Sequence, residues 1–116
     1  MQFFCHCGDC QAVNGGAYVR LAAFANGDVE VLQGETAVFI LKSLPRERCT
    51  VCGTSLLGKP PGTDLSVIKA ELLPPGMFEP QFHIHCKHAL LPIIDDLPHF
   101  EGLPPIFGGS ETRVGW

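Results

Sequence analysis

Cys5-His6-Cys7-Gly8-Asp9-Cys10, the string CHCGDC, sets three thiols within six residues near the start of the chain. The thiolate is the form of cysteine that binds metal, and it prefers zinc or an iron–sulfur cluster to hard cations. A disulfide inside Cys-x-Cys is strained by its geometry. Cysteines spaced by His6, Gly8 and Asp9 also make a poor apolar core. The trio therefore reads as a metal site, with zinc favoured and iron–sulfur the minority option. Three protein ligands leave a fourth position open, as a catalytic zinc requires. A zinc bound by thiolates is a weaker Lewis acid than one bound by histidines. It is better suited to taking up an incoming thiol, which loses its proton there and becomes a nucleophile.

Outward from this cluster the chain is broken into short pieces. Ten prolines and thirteen glycines argue against long helices. Ala17–Phe24 (AYVRLAAF) and Asp28–Gln33 (DVEVLQ) flank Asn26-Gly27, which predicts a hairpin. Ala37–Ser43 (AVFILKS) is a third strand, with Pro45 soon ending the segment, and Leu65–Leu72 and Gln81–Cys86 are two more. Pro60-Pro61-Gly62 and Pro74-Pro75-Gly76 mark loops, and one short helical turn is expected after Cys10. From Leu97 onward the chain reads as irregular, with Phe100, Phe107 and Trp116 packing back on the body. The class is mostly β, built from short antiparallel strands.

The 116 residues suit one domain, residues 1–116. A domain of this size buries about two-thirds of the surface its unfolded chain exposes, enough for a real core. Hydrophobic residues make up 46% and charged residues 17%, a globular balance. The net charge of −4 and the lack of any Lys or Arg run exclude nucleic acid as a partner. No apolar stretch reaches the roughly eighteen residues needed to span a bilayer. MQFFCHCGD has neither the basic nor the apolar region of a signal peptide. A cytoplasmic location is the default, and there six cysteines are metal ligands or catalytic groups before they are disulfides.

A second cysteine motif, Cys49-Thr50-Val51-Cys52-Gly53, has the spacing of a zinc knuckle. The alternative is a redox Cys-x-x-Cys at a helix start, but Arg48 before it and GTSLL after it do not open a helix. Two cysteines supply only half of a closed structural site. HIHCKH (83–88) offers complements: Cys86 as a substitute ligand, and His83 and His85, which alternate onto one face of a strand. Cys86 reads equally as a small core residue.

Four stretches carry a resemblance to a known family. CHCGDCQAVNGGAY (5–18) resembles a CHCxxCR segment followed by small and aromatic residues. RERCTVCGTSLL (46–57) resembles an FCxxCGtxL knuckle. IKAELLPPGMFEPQFHI (68–84) is similar to "aLDdPxxfxPxxHI", and IIDDLPHFEG (93–102) to "ITDDLPxFEG". Together these resemble the glutathione-dependent formaldehyde-activating enzyme family, which shares its domain with centromere protein V. The resemblance implies an Mss4-like fold of coiled antiparallel sheets with zinc at their edges. It implies one zinc at Cys5, Cys7 and Cys10, where glutathione binds. It also implies a structural zinc at Cys49 and Cys52, completed by a C-x-C-G on an N-terminal strand. That strand is absent from this sequence, which begins almost at the trio. Phe4 stands where the family usually carries histidine, Gln11 where Arg or Lys is common, and Cys86 where a strand residue is apolar.

The resemblance implies a carbon–sulfur lyase that forms or cleaves S-hydroxymethylglutathione, with glutathione or a similar small thiol as partner and zinc as cofactor. His6 and Asp9, inside the metal loop, are weak candidates for moving a proton. The alternatives are a non-catalytic zinc module or thiol carrier, and a redox protein using Cys49 and Cys52. A strand edge left unpaired by the missing strand favours a homodimer or cover by the proline-rich tail.

Overall fold

β1 (Gln2–Cys5) lies inside the sheet, antiparallel to β2 (Val19–Ala25) and parallel to β7 (Phe82–Ile84). Its alternation decides what it buries: Phe3 and Cys5 point into the core, while Gln2 and Phe4 are half-buried. The computed structural model describes residues 1–116 and contains a seven-stranded mixed sheet. The order is β3-β4-β5-β6-β2-β1-β7, with β3 at Thr36–Leu41, β4 at Leu44–Cys49, β5 at Ser55–Gly58 and β6 at Leu65–Lys69. The fold is mostly β, with one helix, α1 (Gly8–Asn14). No helix is long and apolar enough to cross a membrane.

The core sits at the β1–β2–β7 end of the sheet. Phe3, Cys5, Cys10, Val19, Ala23, Phe82, Ile84 and Phe100 form one buried cluster. The rings of Phe3 and Phe82 stack with centroids 5.5 Å apart, and Phe107 meets both edge-on. Each such pair contributes about 0.5–1.5 kcal/mol beyond its burial. Phe100 lies edge-on to Phe82. The irregular tail therefore packs back through its aromatics, as its composition suggests.

Several strand expectations shift. Asp28–Gln33 is not a strand: Asn26–Asp28 is a 3₁₀ turn, and Val31 and Leu32 beyond it are exposed. β2 already has β6 on that side, paired through Ala25 and Leu65. Ser66 Oγ donates to Asn26 Oδ1 at 2.6 Å, which ties Asn26 to β6 and not into a hairpin turn. The hairpin forms instead between β3 and β4, through Lys42 at φ +60° and Ser43. Pro45 does not end the segment but sits inside β4, opposite Ile40. It has no N–H for the ladder, yet its carbonyl accepts from the Lys59 amide at 2.9 Å. The helix encloses Cys10 instead of following it. Ala70–Leu72 leaves β6 as a 3₁₀ turn. β7 stops at Ile84 because His85 turns left-handed at φ +56° and a 3₁₀ turn, Cys86–His88, follows.

Candidate metal centre and its cavity

Cys5 closes β1, and two residues later Cys7 caps α1. The Cys7 sulfur accepts from the Cys10 amide at 3.3 Å, which satisfies one of the orphan donors of the helix start. Cys10 lies one turn further on, so strand end, cap and first turn converge. The three sulfurs lie within 4.8 Å of one another, with Cys5 and Cys10 buried and Cys7 partly open. Cys5 and Cys10 are part of the buried cluster, so the trio is backed by the core.

The electrostatics show how strongly this cluster resists three negative charges. Hydrogen bonds from Cys10 and Cys5 hold the Cys7 thiol down to about 2, so Cys7 carries the thiolate. The bond with Cys5 lowers Cys10, but its bond to Cys7 and its burial outweigh this and push it up to about 12. Hydrogen bonds to Cys10 and Cys7, and burial, push Cys5 well above the ordinary thiol range. Burial and mutual repulsion oppose ionising all three thiols together. A soft divalent cation offsets the repulsion and permits all three to ionise, and the donor set fits such an ion.

The trio forms one wall of a cavity of about 940 Å³. Phe3, Leu57 and Val67 line part of it, Lys42, Arg46 and Lys69 stand there against Asp9, and the imidazoles of His85 and His88 join the wall. Lys42, at the β3–β4 turn, reaches Asp9 at the start of α1 with 3.1 Å between Nζ and Oδ1. Arg46 is only 8% exposed, and its Nη1 has no hydrogen-bond partner. Gly58 faces it across the β4–β5 pairing, where a Cβ would lie 3.0 Å from Leu44 Cδ2. A bare glycine thus leaves room for the Leu44 side chain there. A second hollow of about 480 Å³, beside Tyr18 and Arg20, holds no cysteine or histidine.

The glutathione-dependent formaldehyde-activating enzyme signature matches residues 1–88. The chain belongs to this family. No curated protein matches it significantly. The formaldehyde-activating match runs from β1 to the 3₁₀ turn after β7, so it takes in the trio, the Cys49–Cys52 knuckle and most of the cavity wall.

The other sequence candidates fall as follows. Cys49 ends β4, and its amide donates to Thr54 O while its carbonyl accepts from Gly53, whose φ of +76° makes the tight knuckle. Cys52 is exposed, 3.1 Å from Thr54 Oγ1, and this contact lowers its pKa. Cys49, Cys52 and Cys86 do not gather into a three-ligand group. Cys86 is buried beyond β7, where burial pushes its thiol up to about 12. His83 and His85 do not share a face, because the left-handed turn at His85 breaks the strand alternation. His85 joins the cavity wall: burial lowers its pKa, and the nearby Cys7 opposes that shift. His83 turns the other way, to His6, Asp95 and His99.

His6 is fully buried against His83 and Trp116 and does not line the cavity. Burial, then His83 and His99, push it down to about 4. Phe4 stacks on His83 at 4.5 Å. The Gln11 amide donates to the His6 and His88 carbonyls at 2.8 and 3.0 Å, which ties α1 to the turn after β7. Sequence reasoning missed Lys42, Arg46, Lys69 and His88, and it nominated His85 for a different site. No local motif marks them, because strands far apart in sequence bring them to one cavity.

Proposed function

We propose that the protein is a zinc-dependent carbon–sulfur lyase that joins glutathione, or a similar small thiol, to formaldehyde or a related small aldehyde, and reverses that reaction. Cys5, Cys7 and Cys10 would hold the zinc. Zinc bound there supplies an open position that takes up an incoming thiol as its thiolate. In the forward direction a sulfur–carbon bond forms as the aldehyde π bond opens, and the thiol's proton ends on the new hydroxyl. His85, on the cavity wall near Cys7, is the group we assign to carry that proton. Most of the gain comes from holding two small reactants together in a walled site.

The observation that carries this reading is the pairing of the trio with a cavity whose wall includes Lys42, Lys69 and Arg46, a guanidinium with one buried, unpartnered nitrogen. Glutathione has a carboxylate at each end, and a carboxylate on Arg46 would relieve that orphaned donor. Lys42 and Lys69 give the cavity the sign that attracts such an anion. The Cys-rich trio fits a reducing, cytoplasmic setting, where glutathione keeps thiols reduced.

Exchange spectroscopy on glutathione and formaldehyde tests the reading. Zinc-loaded protein should speed their interconversion with the S-hydroxymethyl adduct above the spontaneous rate, and Cys7→Ser should remove that gain. Glutathione binding with no acceleration would make the protein a thiol carrier, and neither binding nor acceleration would end both readings.

A further inference from the structure

We propose that His83, Asp95 and His99 form a second divalent-metal site, separate from the cysteine trio, which takes zinc or a similar first-row ion through two imidazoles and one carboxylate. Their ligand atoms lie within 4.8 Å of one another. His83 Nε2 is 2.8 Å from Asp95 Oδ2, and His99 Nε2 is 3.0 Å from Asp95 Oδ1. In a tetrahedral zinc site with bonds of about 2.0–2.1 Å, neighbouring donors sit roughly 3.3 Å apart. The two His–Asp separations therefore need to open by only a few tenths of an ångström, with the third separation within 4.8 Å. Asp95, about 28% exposed on its loop, can supply that movement and the path for the ion.

A purely structural Asp–His hydrogen-bond network does not account for His99. Its ring is 6% exposed and its Nε2 lies within ion-pair distance of Asp95, yet it makes no hydrogen bond there. A buried ring nitrogen whose carboxylate neighbour sits at 3.0 Å without hydrogen-bond geometry is poorly satisfied and needs an explanation. A metal ion among the three groups supplies one.

The surroundings hold the rings as a metal site requires. His83 Nδ1 is 3.0 Å from His6 Nε2, so the far nitrogen of the ligand is engaged and Nε2 is the one presented to Asp95. Phe4 stacks on His83, and Trp116 lies 4.9 Å from the His99 ring. Backbone bonds from His83 N to Pro98 O and from Phe100 N to His83 O fix the two histidines against each other. Asp95 Oδ1 also accepts the Leu97 amide at 3.0 Å, which orients the carboxylate. Two histidines and a carboxylate suit zinc or iron(II) and leave positions open for water or a substrate atom.

The test is metal content of the untagged full chain, stripped and reloaded with zinc alone. Asp95→Asn preserves the side chain's size and should lose one equivalent relative to wild type. In the cobalt-substituted protein its sulfur-to-cobalt charge-transfer band, which reports the cysteine trio, should be unchanged. Cys7→Ser should lose that band and keep the Asp95-dependent equivalent, so failure here and failure of the thiol-lyase reading are told apart. Unchanged zinc content in Asp95→Asn overturns the proposal. If Asp95→Asn does not fold, X-ray absorption of the zinc-loaded wild type decides. A zinc population with imidazole nitrogen ligands supports the site, and sulfur-ligated zinc with no imidazole shell overturns it.

Discussion

The trio and the Cys49–Cys52 knuckle are both cysteine motifs of metal-ligand spacing, but the fold treats them differently. Cys5, Cys7 and Cys10 meet where a buried strand runs into a helix, with the core behind and a basic cavity in front. The knuckle sits at the end of β4, Cys52 is exposed, and no third ligand joins it. Spacing alone nominates ligands. A usable site also needs the chain to bring further donors, or a substrate cavity, to the same place.

Substitution at the trio gives the largest expected contrast. Cys7→Ser or Cys10→Ser should abolish zinc retention at that site and all thiol–aldehyde turnover. A Cys49→Ser/Cys52→Ser pair should leave turnover within about twofold of wild type and shift stability only slightly, since Cys52 is exposed and Cys49 half-buried outside the core. Metal analysis and exchange kinetics on the two variants check this, and equal losses would erase the distinction.

Next is the packing behind the trio. Phe3→Ala removes a buried ring that Phe82 and Phe107 contact, and should cost about 3–5 kcal/mol in urea unfolding. No core residue backs the exposed Cys52 in this way, so Val51→Ala, at 91% exposure, should cost almost nothing.

Arg46→Gln separates binding from folding. Loss of a charged hydrogen bond to a carboxylate should weaken glutathione about ten- to hundredfold, or roughly 1.5–3 kcal/mol. Stability should stay level or rise, because a buried guanidinium nitrogen without a partner is removed.

Thiol labelling at controlled pH sharpens the electrostatic contrast in metal-free protein. Cys7, held down to about 2, remains thiolate when the pH falls to about 5, while an ordinary thiol protonates well above that. Its depressed folded pKa contributes stability above the unfolded thiol value, and that contribution falls away as pH drops toward 2. Cys10, raised to about 12, has the opposite sign: its contribution holds below the unfolded value and is lost as pH climbs toward 12. Mass spectrometry after brief alkylation at pH 5 should therefore find Cys7 modified and Cys5 and Cys10 spared. Zinc should protect Cys7. The smallest effect belongs to Lys42→Ala, because the Lys42–Asp9 pair is largely exposed and contributes under about 1 kcal/mol.

Much of this contrast was readable along the chain. The trio, the β-rich class, the loops at the Pro-Pro-Gly turns and the packing of Phe100, Phe107 and Trp116 all follow from local spacing and composition. The errors came where a distant partner decided the outcome. Asn26-Gly27 has a hairpin signature, but Ser66 from β6 takes the Asn26 side chain. His83 and His85 have the spacing of one strand face, but His85 is itself left-handed and leaves the strand. Arg46 looks like an ordinary strand charge until β4 and β5 fold it under the cavity. The His83–Asp95–His99 group spans β7 and a loop beyond it, joined by a single bridge between His83 and His99.

The central claim is that a thiol reaches the cysteine trio while its carboxylates meet the basic wall. Calorimetry of the zinc-loaded full chain with glutathione and with S-methylglutathione tests this most directly. Glutathione should bind, and blocking the sulfur with a methyl group should weaken binding by at least about tenfold. Equal affinity for the two ligands, or no binding of glutathione, would contradict the account.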